Sequence, residues 1–139
     1  MEQENTRPDI PENLRGARIL ITGGAGFIGC ALARRLSGTA RLVIFDRVGE
    51  KTAAARLDGV AGVDYMDGNV RVSEEVAAAA RGCTHVVHLA SIAGVDAVME
   101  RPLDTMETIS EGTLNVLRAA ETLDGLERDG QRPPRIGGG

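Results

Sequence analysis

Four glycines within seven residues form the stretch of this sequence whose residue types and spacing point most directly to chemistry. They are Gly23, Gly24, Gly26 and Gly29. They follow an apolar run at residues 19–21, and an apolar helical pattern starts again after them. A strand, a tight turn and a helix N-terminus in this order can bind phosphate oxygens, because the first turn of a helix offers unpaired N–H groups and the positive end of its dipole.

An acidic residue follows this stretch at the distance that a bound nucleotide requires. Asp46 ends the next apolar run, residues 42–45, and lies 20 positions after Gly26. A carboxylate at this place can accept hydrogen bonds from ribose hydroxyls while the glycine loop holds the phosphates. Together, the loop and Asp46 predict dinucleotide binding. The alternative that the residues leave open is a glycine turn that binds no ligand.

The composition limits the classes of protein to which the chain can belong. At 139 residues, with 42% apolar and 26% charged residues, it is expected to form one globular domain. A net charge of −4, with 2% aromatic residues and no Trp, argues against nucleic-acid binding. No apolar run is long enough for a membrane span or a signal-peptide core, so we expect a cytoplasmic protein with no membrane partner.

The cysteines and histidines do not predict a metal site. Cys30 and Cys83 lie in apolar segments and are expected to be reduced core residues. His85 and His88 lie three positions apart on a predicted strand, so their side chains should face opposite sides of the sheet. We expect His88 to lie on the buried face and to bond to nearby backbone groups.

Apolar runs and helical patterns alternate four times along the chain. Strands are predicted near residues 17–22, 41–46, 63–66 and 84–89, and helices near residues 26–37, 51–57, 73–81 and 102–123. This alternation predicts an α/β fold in which right-handed crossovers join parallel strands. The expected strand order is 3-2-1-4, with helices on both faces and a ligand crevice between the carboxyl ends of strands one and four.

Three parts of the chain differ in composition. Residues 1–16 contain prolines and acids, and we expect a flexible N-terminal extension. Residues 17–126 are expected to form the dinucleotide-binding domain. Residues 127–139 are rich in Gly, Pro and Arg and predict a loose C-terminal tail. The sheet is therefore expected to be truncated before or at a fifth strand.

Five segments, taken in order, resemble the extended short-chain dehydrogenase/reductase superfamily, especially its NAD-dependent nucleotide-sugar epimerases and dehydratases. The segments are residues 21–29 (ITGGAGFIG), 43–46 (VIFD), 68–70 (GNV), 85–91 (HVVHLAS), and 101–102 (RP) through 112–120 (GTLNVLRAA). They cover nearly all of residues 17–123. The resemblance implies a Rossmann-like parallel sheet and NAD as the cofactor.

The resemblance also implies which residues hold the phosphates and the adenosine ribose. The pyrophosphate would lie against the glycine loop, at Gly23, Gly26, Phe27, Ile28 and Gly29. Asp46 would bind the ribose hydroxyls and would repel a 2′-phosphate. NAD is therefore expected and NADP is less favoured, although Arg47 beside Asp46 reduces that preference.

The same resemblance implies which residues contact the adenine and which line the nicotinamide ribose. Asn69 and Val70 stand where the family has an Asp and an aliphatic residue that contact the adenine. Leu89, Ala90 and Ser91 match the segment that lines the nicotinamide ribose. Ile109 stands where the family has an Asn, and this departure affects the catalytic geometry.

Catalytic residues of the family have no counterpart in this sequence. Family members use a Tyr-x-x-x-Lys pair after strand five, in which the Lys lowers the pKa of the Tyr. The single tyrosine, Tyr65, has Asn69 rather than Lys four positions later, and the single lysine is Lys51. We therefore predict no catalytic residue and expect a chain that binds NAD without catalysis of its own.

Two other functions remain open from the sequence. The chain could be part of an active NAD-dependent epimerase or dehydratase that acts on a nucleotide sugar and is completed by another chain or by residues outside this sequence. A weaker alternative is a structural or interaction protein without a nucleotide, which the intact glycines and Asp46 speak against.

Helix four carries a wide apolar surface. Its apolar residues are Leu103, Met106, Leu114, Val116, Leu117, Ala120 and Leu123. In the family the helix at this position pairs with its symmetry mate. We therefore expect a homodimer through helix four or through an unpaired edge of strand four, unless the C-terminal tail folds back and covers that edge.

Overall fold

The computed structural model describes residues 9–92, 94–123 and 136–138. Its strands are β1 (Arg18–Thr22), β2 (Arg41–Asp46), β3 (Val63–Asp67), β4 (His85–His88) and β5 (Ile136–Gly138). All pairings are parallel, and the order is β3-β2-β1-β4-β5. The predicted order 3-2-1-4 is confirmed, and β5 extends it on the β4 side.

The helices are α1 (Phe27–Leu36), α2 (Glu50–Arg56), α3 (Ser73–Ala80), α4 (Val95–Glu100) and α5 (Pro102–Ala120), preceded by a 3₁₀ turn at Glu12–Leu14. Four of the five helices lie where the sequence predicts them, with ends that differ by a few residues; α5 is the predicted helix four, and the short α4 is an additional helix. Pro102 occupies the first turn of α5, where its missing N–H costs no helical hydrogen bond.

Two apolar layers cover the two faces of the sheet. Leu20 and Val43 belong to the layer that holds α3 and α5, whereas Ile19, Ile21 and Leu42 belong to the layer that holds α1 and α2. Because neighbouring residues of a strand point to opposite faces and both faces are covered, β1 and β2 need continuous apolar runs. The packing of helices on both faces of the sheet fixes the carboxyl ends of the strands, where the glycine loop and Asp46 lie.

β5 pairs with β4 along most of its length. Val86, Val87 and His88 lie opposite residues 136–138. The prediction that β4 forms an unpaired edge is therefore wrong, and the alternative that C-terminal residues cover this edge is confirmed. An apolar strand gains from such pairing because its edge N–H and C=O groups otherwise need other partners. Residues 127–135 and 139 of the predicted tail lie outside the described residues.

Part of the predicted N-terminal extension contacts the domain. Ile10 and Leu14 pack against the layer of α1 and α2. The N–H of Gly16 donates to the carbonyl of Thr39 at 2.9 Å. Residues 1–8 lie outside the described residues, so the flexibility of residues 1–16 stays a prediction.

α5 is tied to the turn that follows β3. The buried Asn115 donates from Nδ2 to the carbonyl oxygen of Val70 at 3.0 Å. Arg71 donates to three carboxylates on one side of α5, at 2.9–3.0 Å. They belong to Asp104, Glu107 and Glu111. These contacts hold Val70 beneath α5, at the wall of the site described next.

Candidate functional site

The glycine loop brings the end of β1 close to the chain that leaves β4. Gly23 has φ +65°, and a Cβ at this position would lie 2.8 Å from the backbone nitrogen of Ala90. A Cβ at Gly29 would lie 2.6 Å from the Cα of Gly24. Gly23 therefore lets the chain that leaves β1 come close to the chain that leaves β4. Gly29 lets α1 pack directly on the glycine loop.

Asp46 is fixed to the glycine loop by backbone N–H groups. Its Oδ2 accepts a hydrogen bond from the N–H of Ala25 at 3.1 Å. Its Oδ1 accepts from Arg47 at 2.7 Å and from Val48 at 3.3 Å. A negative charge is thus held at the end of β2, next to the loop.

A cleft of about 260 Å³ opens at the carboxyl ends of β1 to β4, where the crevice was expected. Most of the predicted binding residues border it: Gly23, Gly26, Asp46, Arg47, Val70, Leu89, Ala90 and Ser91. The arrangement joins a glycine loop, a carboxylate and an apolar wall in one space. Such a space suits a ligand with phosphate, sugar and aromatic parts.

The predicted binding residues Phe27, Ile28 and Gly29 lie at the start of α1 and do not border the cleft. Phe27 is 94% exposed and Ile28 is 59% exposed. The first hydrogen bond of the helix runs from the N–H of Cys30 to the carbonyl of Gly26 at 2.9 Å. The preceding N–H groups, including that of Gly29, have no carbonyl partner within the helix. Any phosphate contact of these residues would therefore be made by the backbone.

Asn69 uses its side chain to shape the turn after β3. Its Oδ1 accepts from the N–H of Arg71 at 3.0 Å, and its own N–H donates to Glu75 at 2.7 Å. The side-chain oxygen that was expected to face a base thus has a partner in the turn. A contact of Asn69 with adenine stays a prediction.

Six residues border the cleft that the sequence did not single out. They are Phe45, Val48, Arg56, Gly68, Ile92 and Thr108. Thr108 is buried, and its hydroxyl has no hydrogen-bond partner among the described residues. Ile109, the position singled out from the resemblance, is 43% exposed instead. The helical spacing of Thr105, Thr108, Gly112 and Asn115 is the signal that places residue 108 on the inner side of α5.

His88 joins β4 to β1 through side chains, not through the backbone groups that were expected. The N–H of Leu89 donates to the carbonyl of Thr22 at 3.0 Å and is shared with Thr22 Oγ1 at 3.2 Å, and Oγ1 also accepts from the N–H of Ala90 at 3.3 Å. Its own hydrogen therefore points to His88 Nδ1 at 2.6 Å. His88 Nε2 is left to carry the proton, 3.4 Å from the hydroxyl of Thr113. This chain of bonds requires a neutral histidine, and it positions two residues of the cleft wall.

Burial lowers the pKa of His88 below its ordinary value of 6.5. The unfolded chain then binds more protons than the folded chain below about pH 6.5, so the free energy of unfolding should fall as the pH drops through that value. We expect this loss to begin as the pH falls through about 6.5, measured by urea denaturation of the native chain at a series of pH values. His88→Asn, which can accept from Thr22 but does not titrate, should lack it. The same pH dependence in both proteins would contradict the assigned bonds.

The single tyrosine and the single lysine lie in β3 and α2. Tyr65 lies in β3, and burial raises its pKa, with smaller effects from Asp58 and Cys30. A catalytic phenolate needs the opposite shift. Lys51 is an exposed residue of α2.

Within the described ranges, no group of three or more His, Cys, Asp or Glu side chains is placed to hold a metal ion. The described helices include none that is both long and apolar enough to cross a membrane.

Comparison with protein families gives a match to the NAD dependent epimerase/dehydratase family over residues 19–129. A curated relative is the UDP-N-acetyl-alpha-D-glucosaminuronate decarboxylase of Bacillus cytotoxicus. It is 33% identical over 104 residues, which are 74% of this chain and 32% of that protein. The chain thus spans about a third of the length of the curated relatives it matches.

Solved structures show the same fold. An epimerase from Methanothermobacter thermautotrophicus has a TM-score of 0.72 at 22% identity, over 81% of this chain and 34% of that one. A variant of uronate dehydrogenase from Agrobacterium tumefaciens, in complex with NAD, has a TM-score of 0.63 at 27% identity, over 86% of this chain and 39% of that one.

Proposed function

Because the chain belongs to the NAD-dependent epimerase/dehydratase family, we propose that its residues 17–126 are the NAD-binding part of a nucleotide-sugar epimerase- or dehydratase-like protein. We propose further that this chain alone is not catalytic, that it prefers NAD to NADP, and that it is cytoplasmic. The observation that carries the binding proposal is the cleft itself, in which Asp46 is hydrogen-bonded to the glycine loop.

Two features of the cleft fit a dinucleotide. At Gly23 and Gly29 a Cβ would fill the space in which the loop backbone lies, so the loop can stay close to β4 and leave room for a pyrophosphate. The buried hydroxyl of Thr108 lacks a partner among the described residues, and a polar atom of a bound ligand would satisfy it. A glycine turn that binds nothing would account for the glycines, but it would leave the buried hydroxyl of Thr108 without a partner.

Bound NAD would supply a hydride acceptor, and the chain's own residues would bind and orient it. The backbone at the start of α1 would face the phosphates, and Asp46 would accept the ribose hydroxyls. Leu89, Ala90 and Ser91 would line the nicotinamide side. Neither Tyr65 nor Lys51 borders this cleft, so no described residue is assigned the proton transfer.

A calorimetric titration of the folded chain with NAD, and in parallel with NADP, tests the binding proposal. We expect saturable binding of NAD and weaker binding of NADP. A sample that is folded by circular dichroism and gives no heat with either nucleotide would overturn the proposal.

A second candidate is an active enzyme in which other residues or another chain complete the site. The observation in its favour is that the chain spans only about a third of its curated relatives, which include a UDP-glucuronate 4-epimerase. Incubation of the purified chain with NAD and UDP-sugars separates the two candidates. Reduction of NAD, seen at the nicotinamide absorbance, would favour the enzyme, and its absence would favour the binding module.

We propose that the chain forms a homodimer through the exposed apolar residues of α4 and α5. This surface contains Val95, Met99, Leu103, Met106, Leu114 and Leu117, of which Val95, Met99 and Leu103 are more than 70% exposed. Single large exposed residues are ordinary, but several on two helices that follow each other in the chain favour an interface. The contact with residues 136–138 removes the β4 edge as an alternative route.

Leu103→Asp should convert the dimer into a monomer, because association would bury a carboxylate within the apolar surface. The substitution should leave the fold intact, since Leu103 is exposed and an acid in the first turn of α5 suits the helix dipole. Light scattering with size exclusion measures the change. Ala31→Asp, at an exposed position of α1 on the opposite face of the sheet, is the control. A monomeric native chain would contradict the dimer.

A further inference from the structure

The peptide nitrogen of Ala90 lies close to both the glycine loop and the hydroxyl of Thr22. Its N–H donates to Thr22 Oγ1 at 3.3 Å. A Cβ at Gly23 would lie only 2.8 Å from the same nitrogen. Because Gly23 and Ala90 both border the cleft, a shift of this peptide would change the distance between two walls of the cleft.

Thr22 can hold the Ala90 peptide in this way only while His88 is neutral. Thr22 Oγ1 accepts hydrogen bonds from the N–H groups of Leu89 and Ala90. Its own hydrogen goes to His88 Nδ1 at 2.6 Å. A hydroxyl has two lone pairs and one hydrogen, so all of its bonding capacity is in use. Nδ1 must therefore offer a lone pair.

A proton on His88 Nδ1 would reverse the direction of this bond. The imidazolium N–H would donate to Thr22 Oγ1 and would compete with the two backbone N–H groups for its lone pairs. Leu89 would keep a partner, because its N–H also donates to the carbonyl of Thr22 at 3.0 Å. Ala90 has no second acceptor among the described contacts, so its peptide would lose its support first.

The surroundings of His88 contain no charge that would hold a proton on its ring. β1, β5 and α5 pack most closely against β4. The residues that face His88 from these elements are uncharged: Thr22 of β1, Gly138 of β5, and Gly112 and Thr113 of α5. Glu111, one position before Gly112, is ion-paired with Arg71. Burial lowers the pKa of His88, so the folded chain keeps the imidazole neutral near pH 7.

We propose that His88 is a positioning residue for the nucleotide, and that NAD binding is linked to the loss of a proton from its imidazole. This inference rests on the proposed function, because it requires NAD in the cleft. NAD that contacts Ala90 needs this peptide in its hydrogen-bonded place. When a protonated chain binds NAD, the Nδ1 proton passes to the solvent, and the freed lone pair accepts the hydrogen of Thr22. By linkage, protonation of His88 weakens NAD binding by the factor by which NAD disfavours protonation.

Calorimetric titration with NAD at a series of pH values measures this linkage. NAD is a suitable probe because its diphosphate carries the same charge throughout the range. We expect a nearly constant affinity above about pH 6.5 and a fall below it, which approaches about tenfold per pH unit where one proton is released. Circular dichroism shows that the chain is folded at each pH used.

The number of protons released can also be measured directly at a single pH. Two buffers with different heats of ionisation should give different heats of NAD binding at about pH 6, because released protons are taken up by the buffer. The two heats should agree at about pH 8, where His88 carries no proton to release.

His88→Asn keeps an acceptor for Thr22 but removes the titrating group. Its NAD affinity should be close to the native value at about pH 7.5 and should not fall as the pH is lowered. His85→Asn is the matched control, because it makes the same change at the other histidine of β4. This variant should keep the native pH profile.

The outcomes separate this linkage from the proposed function. The same fall of affinity in His88→Asn as in the native chain would overturn the linkage. NAD binding that is independent of pH and releases no proton would also overturn it, while the proposed function would stand. A folded chain that binds no NAD at any pH would reject both.

Discussion

Gly23→Ala should destabilise the domain by about 2–5 kcal/mol and abolish measurable NAD binding. An alanine at φ +65° adopts a left-handed conformation, which costs roughly 1–2 kcal/mol. In addition, its Cβ would lie 2.8 Å from the nitrogen of Ala90, and this backbone atom cannot move away as a flexible side chain could. Relief of the clash would displace Ala90, and Ala90 is a wall of the cleft.

Gly38→Ala separates the two contributions to this effect. Gly38 also has a left-handed backbone, with φ +75°, but a Cβ there would meet nothing within 4 Å. It should therefore show only the conformational cost of roughly 1–2 kcal/mol and should keep its NAD affinity. Urea denaturation and calorimetry of both variants give the comparison. Equal losses of stability, with NAD binding retained in both, would mean that the approach of β1 to β4 does not limit the cleft.

Asp46→Ala should weaken NAD binding by about 1.5–3 kcal/mol, which is roughly tenfold to more than a hundredfold. The substitution removes the charged acceptor proposed for the ribose hydroxyls. It also leaves the N–H of Ala25 without its described acceptor, so the glycine loop loses a support at the same time. Calorimetric titration measures the affinity, and the unfolding free energy without ligand measures the loss of support.

Asp46→Asn separates the charge from the geometry. The amide oxygen can still accept from Ala25, but the negative charge is gone. We expect the unfolding free energy of this variant to be closer to the native value than that of Asp46→Ala, and its NAD affinity to remain reduced. Unchanged NAD affinity in both variants would contradict the placement of the adenosine ribose at the end of β2.

The sheet order and the cleft could be predicted because their signals are local. Continuous apolar runs mark strands that are buried on both faces, and the glycines with Asp46 mark two strand exits that must meet at one edge. Strand β5 could not be predicted in this way. Its three residues include two glycines and are too few for a period, so its pairing becomes visible only beside β4.

The cleft residues that were missed depend on packing between distant elements. Thr108 borders the cleft and Ile109 is exposed because Asn115 and the Arg71 contacts set the rotation of α5. Arg56 enters the cleft because α2 ends beside Ala25, which lies 31 positions earlier in the chain. His88 finds its partner in Thr22, 66 positions away. No local pattern contains these relations.

The pairing of β1 with β4 has a consequence for the order in which the domain can fold. The strands meet across 66 positions, at Thr22 and His88, whereas β1 and β2 are separated only by α1 and its turns. Closing the longer loop costs more chain entropy, and such distant contacts slow folding. A partly folded chain could hold the glycine loop and Asp46 before it holds Leu89 and Ala90. We therefore expect β1 and β4 to pair late in folding and nucleotide binding to require this pairing. An added nucleotide should then slow unfolding more than it speeds folding.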